Sequence, residues 1–247
     1  MIADGRTRSV IGELVSANRI LANAGVLDAF GHVSARHPSD PTRFLISRSR
    51  SPELVEAADI HEVHLDGTLA DPGSHHPYIE RFIHAAIYAA RPEIAAVVHS
   101  HADEVVPFSI SREPLRPVLH TSAAMGATVP VWDIRDGFGS ETNLLVTTIE
   151  QGRDLARRLG AARVVLMRGH GFAATGRSVF EVVKIALYVP RNAHILSAAL
   201  ALGDDPVALS DGEIRALSAI DPDAPSSRRA WEYWCAKAGI AVPGGAA

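Results

Sequence analysis

The sequence holds a single cysteine, Cys235, so no disulfide can brace the fold, and a reducing cytoplasm is the expected setting. No apolar run approaches the roughly 20 residues that a membrane helix needs. The opening "MIADGRTRSVIGELV" lacks the charged-then-apolar order of a secretory signal. No basic cluster interrupts a formal net charge of −4, so nothing offers a general affinity for nucleic acid. Internal repeats, low-complexity tracts and linker-like stretches are also absent. Residues 1–247 are therefore expected to form one domain, with a helical tail from about residue 205. Hydrophobic residues at 47% against 21% charged leave ample material for its core.

Helical spacing predicts a first helix over "SVIGELVSANRILANAGVL", ending near Gly25, and a second over "YIERFIHAAIYAARP", stopped by Pro92. A third is expected over "TTIEQGRDLARRLG", and a long one over "SVFEVVKIALYVPRNAHILSAALALG", bent at Pro190. "GHVSARHP", "RFLISRS" and "DIHEVHLDG" read as short strands, and "IAAVVHSH" and "ARVVLMRGHG" as buried ones. "LRPVLHTSAAMGATVPVWD" carries strand signals at both ends. "SSRRAWEYWCAKAGI" is expected as an aromatic helix packed on the domain or on a neighbouring subunit, with a lid over the active site as the alternative, and the closing "VPGGAA" as disordered. The outcome is an α/β domain.

Histidine is plentiful instead, with twelve in the chain. Most have an ordinary reading. His37, His61 and His64 sit in polar or alternating contexts and face solvent, and the loop pair His75 and His76 is solvated. "AAVVHSHADEV" differs, because His99 and His101 end an apolar strand on the same face, where buried imidazoles need partners. Neutral imidazole is a common metal ligand, so the pair starts a metal site. "ARVVLMRGHG" ends in His170 between two glycines, which permit a sharp turn or a close approach. If the two strands share a sheet, the three histidines converge at one edge. Glu80, on the helix leading into the His99 strand, is the expected carboxylate, and His84 one turn later shares its face. Three imidazoles leave coordination positions open, as catalysis requires.

These segments resemble a known family. "ERFIHAAIYAARPEIAAVVHSHADEV", "MRGHGFAATGRSVFEVV", "GHVSAR" and "FLISRSR" are similar, in order and spacing, to segments of class II aldolase/adducin proteins, over roughly residues 8 to 205. The resemblance implies a three-layer α/β/α sandwich around a mostly antiparallel sheet. It also implies a divalent metal on His99, His101 and His170, with Glu80 as acid/base, and tetramers with active sites near subunit interfaces. Zn2+ or Mn2+ is expected, with Mg2+ a third candidate. His32 and Ser34 in the first anion loop, Ser47 and Arg48 in the second, and Arg81 are the expected substrate contacts.

The departures from sugar-phosphate aldolases are informative. Gly31-His32 stands where those enzymes have Gly-Asn, and Tyr78 and Ile79 stand where small phosphate-binding hydroxyl residues are usual. "SRSRSP" brings Arg48 and Arg50 instead, and a guanidinium fork suits a carboxylate. "SRSRSPELV", "RPVLHTSAAMG" and the "RAWEYWC" tail resemble a decarboxylase branch acting on hydroxylated aromatic or pyridine dicarboxylates or related enol acids. The expected activity is metal-dependent decarboxylation of a small acidic substrate. Glu80, with a pKa raised by burial, moves the proton, and His120 is a second catalytic candidate beside an ordinary structural role. Aldol cleavage of a small hydroxy-acid or sugar is the runner-up. "HSHADE" also begins like a metallo-hydrolase motif, but Glu104 stands where that motif needs histidine. An adducin-like module without chemistry is disfavoured by the retained histidines and Glu80.

Overall fold

A computed structural model describes residues 5–71, 73, 76–203, 205–219 and 221–242. His75 and residues 243–247, most of the segment expected to be disordered, lie outside the described residues. In chain order the regular elements are α1 (Gly5–Asn23), β1 (His32–Arg36), β2 (Arg43–Ser47), β3 (Ile60–His64), α2 (Arg81–Ala90), β4 (Ala96–Ser100) and α3 (Val106–Ile110). There follow β5 (Val131–Trp132), α4 (Arg135–Phe138), α5 (Ile149–Leu159), β6 (Val164–Met167), β7 (Gly171–Gly176), α6 (Val179–Ala201), α7 (Asp211–Leu217) and α8 (Pro225–Lys237).

The strands form one sheet in the order β3-β2-β1-β4-β7-β6-β5, antiparallel except for the β5–β6 pair. β4 lies at the centre, so both its faces are covered and all five residues are buried. That explains its continuous apolar run. Val33, Leu45, Val98, Leu166 and Phe172 pack from one face against α1 and α6. Phe44, Ile46, Val97, Val165 and Met167 pack from the other against α2 and α5. Two apolar layers on one alternating sheet give the three-layer α/β/α sandwich.

One reading of the sequence is corrected, and two elements appear that the sequence patterns do not mark. The strand signal at the start of residues 115–133 does not become a strand: this stretch turns into a 3-10 segment, His120–Met125. Buried Asn192 on α6 takes its backbone groups, accepting from Val118 N–H at 2.8 Å and donating to the Arg116 carbonyl at 2.9 Å. β7 went unread because "GFAATG" is small and glycine-flanked; its burial between β4 and β6 overrides that weak propensity. α7 falls within the helical tail expected from about residue 205 but has no helix of its own in the sequence reading, although Ser210 and Glu213 form a reciprocal capping box at its start. α6 runs through Pro190 as one helix. Of the placements open to the tail helix, the structure shows packing on its own domain: Trp234 stacks on Phe180 at 5.7 Å, and Cys235 is fully buried. Among the described residues no helix is long and apolar enough to cross a membrane.

Candidate metal centre and active site

Two sheet-edge devices bring the histidines together. β4 delivers His99 at its end and His101 just beyond it. Between them Ser100 points the other way, donates to the Val26 carbonyl at 2.6 Å and ties the strand end to the chain leaving α1. The β6–β7 turn delivers His170. There Gly169 has φ +64° and Gly171 φ +154°, and a Cβ on Gly171 would lie 2.0 Å from the Ser100 carbonyl oxygen. Only glycine lets this turn close onto β4. His170 therefore sits in the turn after β6, and the strand beside β4 is β7.

The three Nε2 atoms face one another, His99 to His101 at 3.0 Å and His170 to His101 at 3.1 Å. Each ring is held from behind through Nδ1. His99 Nδ1 donates to the Phe172 carbonyl and His170 Nδ1 to the Leu144 carbonyl, both at 3.1 Å. His101 Nδ1 donates to the Asp28 carboxylate at 3.1 Å. A carbonyl can only accept, so the ring protons sit on Nδ1 and the Nε2 lone pairs converge. Three lone pairs about 3 Å apart repel unless a cation or a shared proton lies among them, and imidazoles held through the far nitrogen are the ordinary preparation for a metal. Glu80 completes the group, with Oε2 at 3.4 Å from His99 and 3.5 Å from His170 Nε2. The four ligand atoms lie within 4.8 Å of one another. This donor set fits a divalent ion.

Glu80 stands one residue ahead of α2, at its N-cap, and not within the helix as expected. Its Oε1 accepts the Val146 N–H at 2.9 Å, which leaves Oε2 toward the cluster. The neighbouring Leu144 is in the left-handed region at φ +67° while its carbonyl meets His170. Strain at a non-glycine residue beside a site is typical of a segment held in place by that site. Burial raises the Glu80 pKa, but His99 and His170 outweigh it and hold the carboxyl below the ordinary range. The raised value expected from burial alone is thus corrected, because close imidazoles win over desolvation.

A pocket of about 550 Å³ opens beside the cluster, lined by Phe30, His32, Arg50, Tyr78, Glu80 and His101 among others. That volume suits a substituted ring. A larger cleft of about 670 Å³ between α1, α6 and α8 contains no member of the cluster.

The pattern of the family described as Class II Aldolase and Adducin N-terminal domain matches residues 12–197. The chain belongs to the class II aldolase and adducin family. It is 39% identical to "Decarboxylase tropJ" of Talaromyces stipitatus, over 89% of this chain and 90% of that one. It is 30% identical to a 3,4-dihydroxyphthalate decarboxylase of Terrabacter sp., over 92% of this chain and 95% of that one. Among solved structures, an aldolase II superfamily protein of Pseudomonas syringae matches with a TM-score of 0.78 at 25% identity, over 96% of this chain and 94% of that one.

Within this class II aldolase fold the expected substrate contacts separate. His32 lines the pocket, buried, with Tyr78 at 4.4 Å and His99 at 5.1 Å between ring centroids. Ser34 does not reach it: the hydroxyl is fully buried between His84 and Tyr88. Ser47 and Arg48 line a separate small hollow with His61 and Asp71. Arg48 is turned there by Asp59, whose Oδ1 accepts its Nε–H at 2.6 Å. Arg50, two residues on, is the arginine in the pocket, held by the other oxygen of Asp59 at 2.9 Å. Arg81 points away, donating to the Gly67 and Tyr78 carbonyls and lying over the Phe82 ring at 4.4 Å. His120 is exposed at the start of its 3-10 segment, outside the pocket lining. His84, which shares a face with Glu80 in sequence, bonds to His32 and Ser34 instead, and burial pushes its pKa down to about 3.

Sequence patterns do not point to Asp28, Asp59, Leu144 or Val146: each acts on a site residue through hydrogen bonds to groups distant in the chain, Asp59 on both Arg48 and Arg50, and no spacing announces such bonds. The two aspartates carry local signals only: Asp28 accepts from the Phe30 and Gly31 N–H groups and Asp59 from the Glu56 N–H, as aspartates in turns and caps do.

Proposed function

We propose that this protein is a metal-dependent carbon–carbon lyase that decarboxylates a hydroxylated aromatic or heteroaromatic dicarboxylate, or a related enol acid. The observation that carries this reading is the convergence of three Nε2 lone pairs beside a ring-sized pocket holding one fixed arginine. Both decarboxylase relatives support the same reaction class, and the 3,4-dihydroxyphthalate decarboxylase supports an aromatic dicarboxylate.

His99, His101 and His170 are the metal ligands in this reading, for Zn2+ or Mn2+ with Mg2+ third, since imidazoles accept several divalent ions. When bound, the ion supplies Lewis-acid stabilisation of the negative charge that develops on substrate oxygen as the carbon–carbon bond breaks. Glu80 is the proton carrier. Its ionised Oε2 takes the substrate hydroxyl proton and returns it to the ring carbon bearing the carboxylate. The bond to CO2 then breaks, and its electron pair restores the ring as the product phenolate. Arg50 holds the carboxylate that stays on the product, the role the sequence suggested for Arg48. Asp59 fixes the Arg50 fork before substrate arrives, which lowers the cost of ordering it. His32 donates a hydrogen bond at the pocket wall.

The remaining expectations belong to the same reading. The chain is one domain with α7 and α8 as a helical tail, cytoplasmic, and assembled as a homo-oligomer, a tetramer favoured. Phe30 at 70% exposure and Ile79 at 58% on the pocket rim support such an assembly.

The test is CO2 release by purified, metal-reconstituted protein from a panel of ortho-hydroxy aromatic dicarboxylates, with a chelator-treated sample alongside. Metal-dependent release is expected. Aldehyde formed from hydroxy-acids or sugars, without CO2, would move the chain to the aldol reading, which the same glutamate and histidines can serve.

A further inference from the structure

Behind the pocket wall, four side chains form one hydrogen-bonded line. His32 Nδ1 meets His84 Nε2 at 2.7 Å, His84 Nδ1 meets Ser34 Oγ at 2.6 Å, and Ser34 Oγ meets the Tyr88 hydroxyl at 2.8 Å. All four residues are buried. Two periodicities lace them together. β1 puts residues 32 and 34 on one face at strand spacing, and α2 puts residues 84 and 88 on one face at helical spacing. The Phe44 ring lies nearly parallel to the His84 ring, 6.3 Å away between centroids, and 5.3 Å from the Tyr88 ring, so it packs beside both.

Proton counting gives this line a direction. Among the described residues the Tyr88 hydroxyl has Ser34 as its only hydrogen-bond partner. It therefore donates to Ser34. The single Ser34 proton then goes to His84 Nδ1, so His84 carries its own proton on Nε2 and donates to His32 Nδ1. His32 is left with its proton on Nε2. The reverse order would strand a buried Tyr88 O–H with no acceptor, which costs the desolvation of that donor. Among the described residues no protein group pairs with His32 Nε2, and His32 lines the pocket.

We infer that the Tyr88–Ser34–His84 chain presets His32 as a fixed hydrogen-bond donor, its Nε2–H facing an anionic oxygen of the bound substrate. The last step, a substrate oxygen as acceptor, rests on the decarboxylase reading above; the tautomer does not. His84, Ser34 and Tyr88 are positioning residues, since none of them lines the pocket. Such a donor meets the reaction already oriented, and interactions prepared in this way act on developing charge without reorganising.

The test begins with 15N-histidine-labelled wild-type protein, metal-free and zinc-loaded. Long-range 15N–1H correlations read the tautomers, with assignments from His32→Gln and His84→Gln. The expected result is that both rings are neutral and protonated on Nε2 alone. A His32 ring protonated on Nδ1, or on both nitrogens, would overturn the inference, and no turnover is needed to see it. Failure of the decarboxylase reading would instead appear as absent CO2 release with the tautomers as expected. On a working substrate, Ser34→Ala should lower kcat about tenfold, while KM and metal content stay within about twofold. His32→Phe should lower kcat about a hundredfold, the scale of one lost donor. Ser34→Thr should restore the hydroxyl and most of the rate. Unchanged kcat in Ser34→Ala would overturn the positioning role.

Discussion

The histidine cluster and the arginine loop lie on two sides of one pocket and are built on opposite plans. The cluster hangs on short side chains at backbone positions that the sheet fixes, with Gly171 against the Ser100 carbonyl and each ring held through Nδ1. The arginine side hangs on long, flexible side chains whose direction is decided by a single carboxylate. Asp59 turns Arg48 into one hollow and Arg50 into the pocket, although only two residues separate them. Where the backbone aims a short side chain, spacing predicts the site. Where a partner aims a long one, spacing predicts only the neighbourhood.

Breaking the cluster side should give the largest loss. Glu80→Gln keeps the acceptor for Val146 N–H but cannot shuttle a proton, so kcat should fall about 10²–10⁴-fold with little change in KM. Steady-state CO2 assays read both numbers. A loss carried mainly in KM would place Glu80 in binding instead.

The arginine side should respond differently, and the two arginines should part company. Arg50→Ala removes a charged hydrogen bond of about 1.5–3 kcal/mol, roughly a ten- to hundredfold fall in kcat/KM, carried by KM. Arg48→Ala should stay within about threefold. Equal effects in the two variants would contradict the assignment of Arg50 over Arg48.

The carboxylate that aims them should show its effect in stability. Burial raises the Asp59 pKa, but the Glu56 N–H and the two guanidinium groups outweigh it and hold the group below the ordinary aspartate value. A depressed folded pKa means a contribution fully present above the unfolded value and lost as pH falls through the folded one. Asp59→Asn should therefore destabilise the protein at neutral pH by about 1–3 kcal/mol in denaturant melts. The gap to wild type should close only below the ordinary aspartate range, and a constant gap through that range would contradict the account.

Legibility follows the same division. The strand-end histidines, the glycine-flanked His170 and Glu80 could be named because alternation, apolar runs and glycine are local signals, and the structure brings those four residues together. Periodicity marks the main helices and most strands, while the layers of the sandwich come from the family resemblance. β7 was not, since its small residues are strand only because β4 and β6 enclose them. Ser34 was expected at the substrate, yet its hydroxyl is taken by His84 and Tyr88 from α2, an encounter across the fold that no local pattern encodes. Arg81 was misplaced for a similar reason: the Gly67 and Tyr78 carbonyls capture it first.

The central claim is that the converging Nε2 atoms are a metal centre, and calorimetric titration of Mn2+ or Zn2+ into chelator-stripped protein tests it most directly. The account predicts one ion per chain in the wild type and no measurable binding in His101→Ala. Asp28→Asn, which loosens the grip on His101 Nδ1, should weaken affinity about 10–100-fold. A wild type that takes up no ion, or a His101→Ala variant that binds as tightly as wild type, would contradict it.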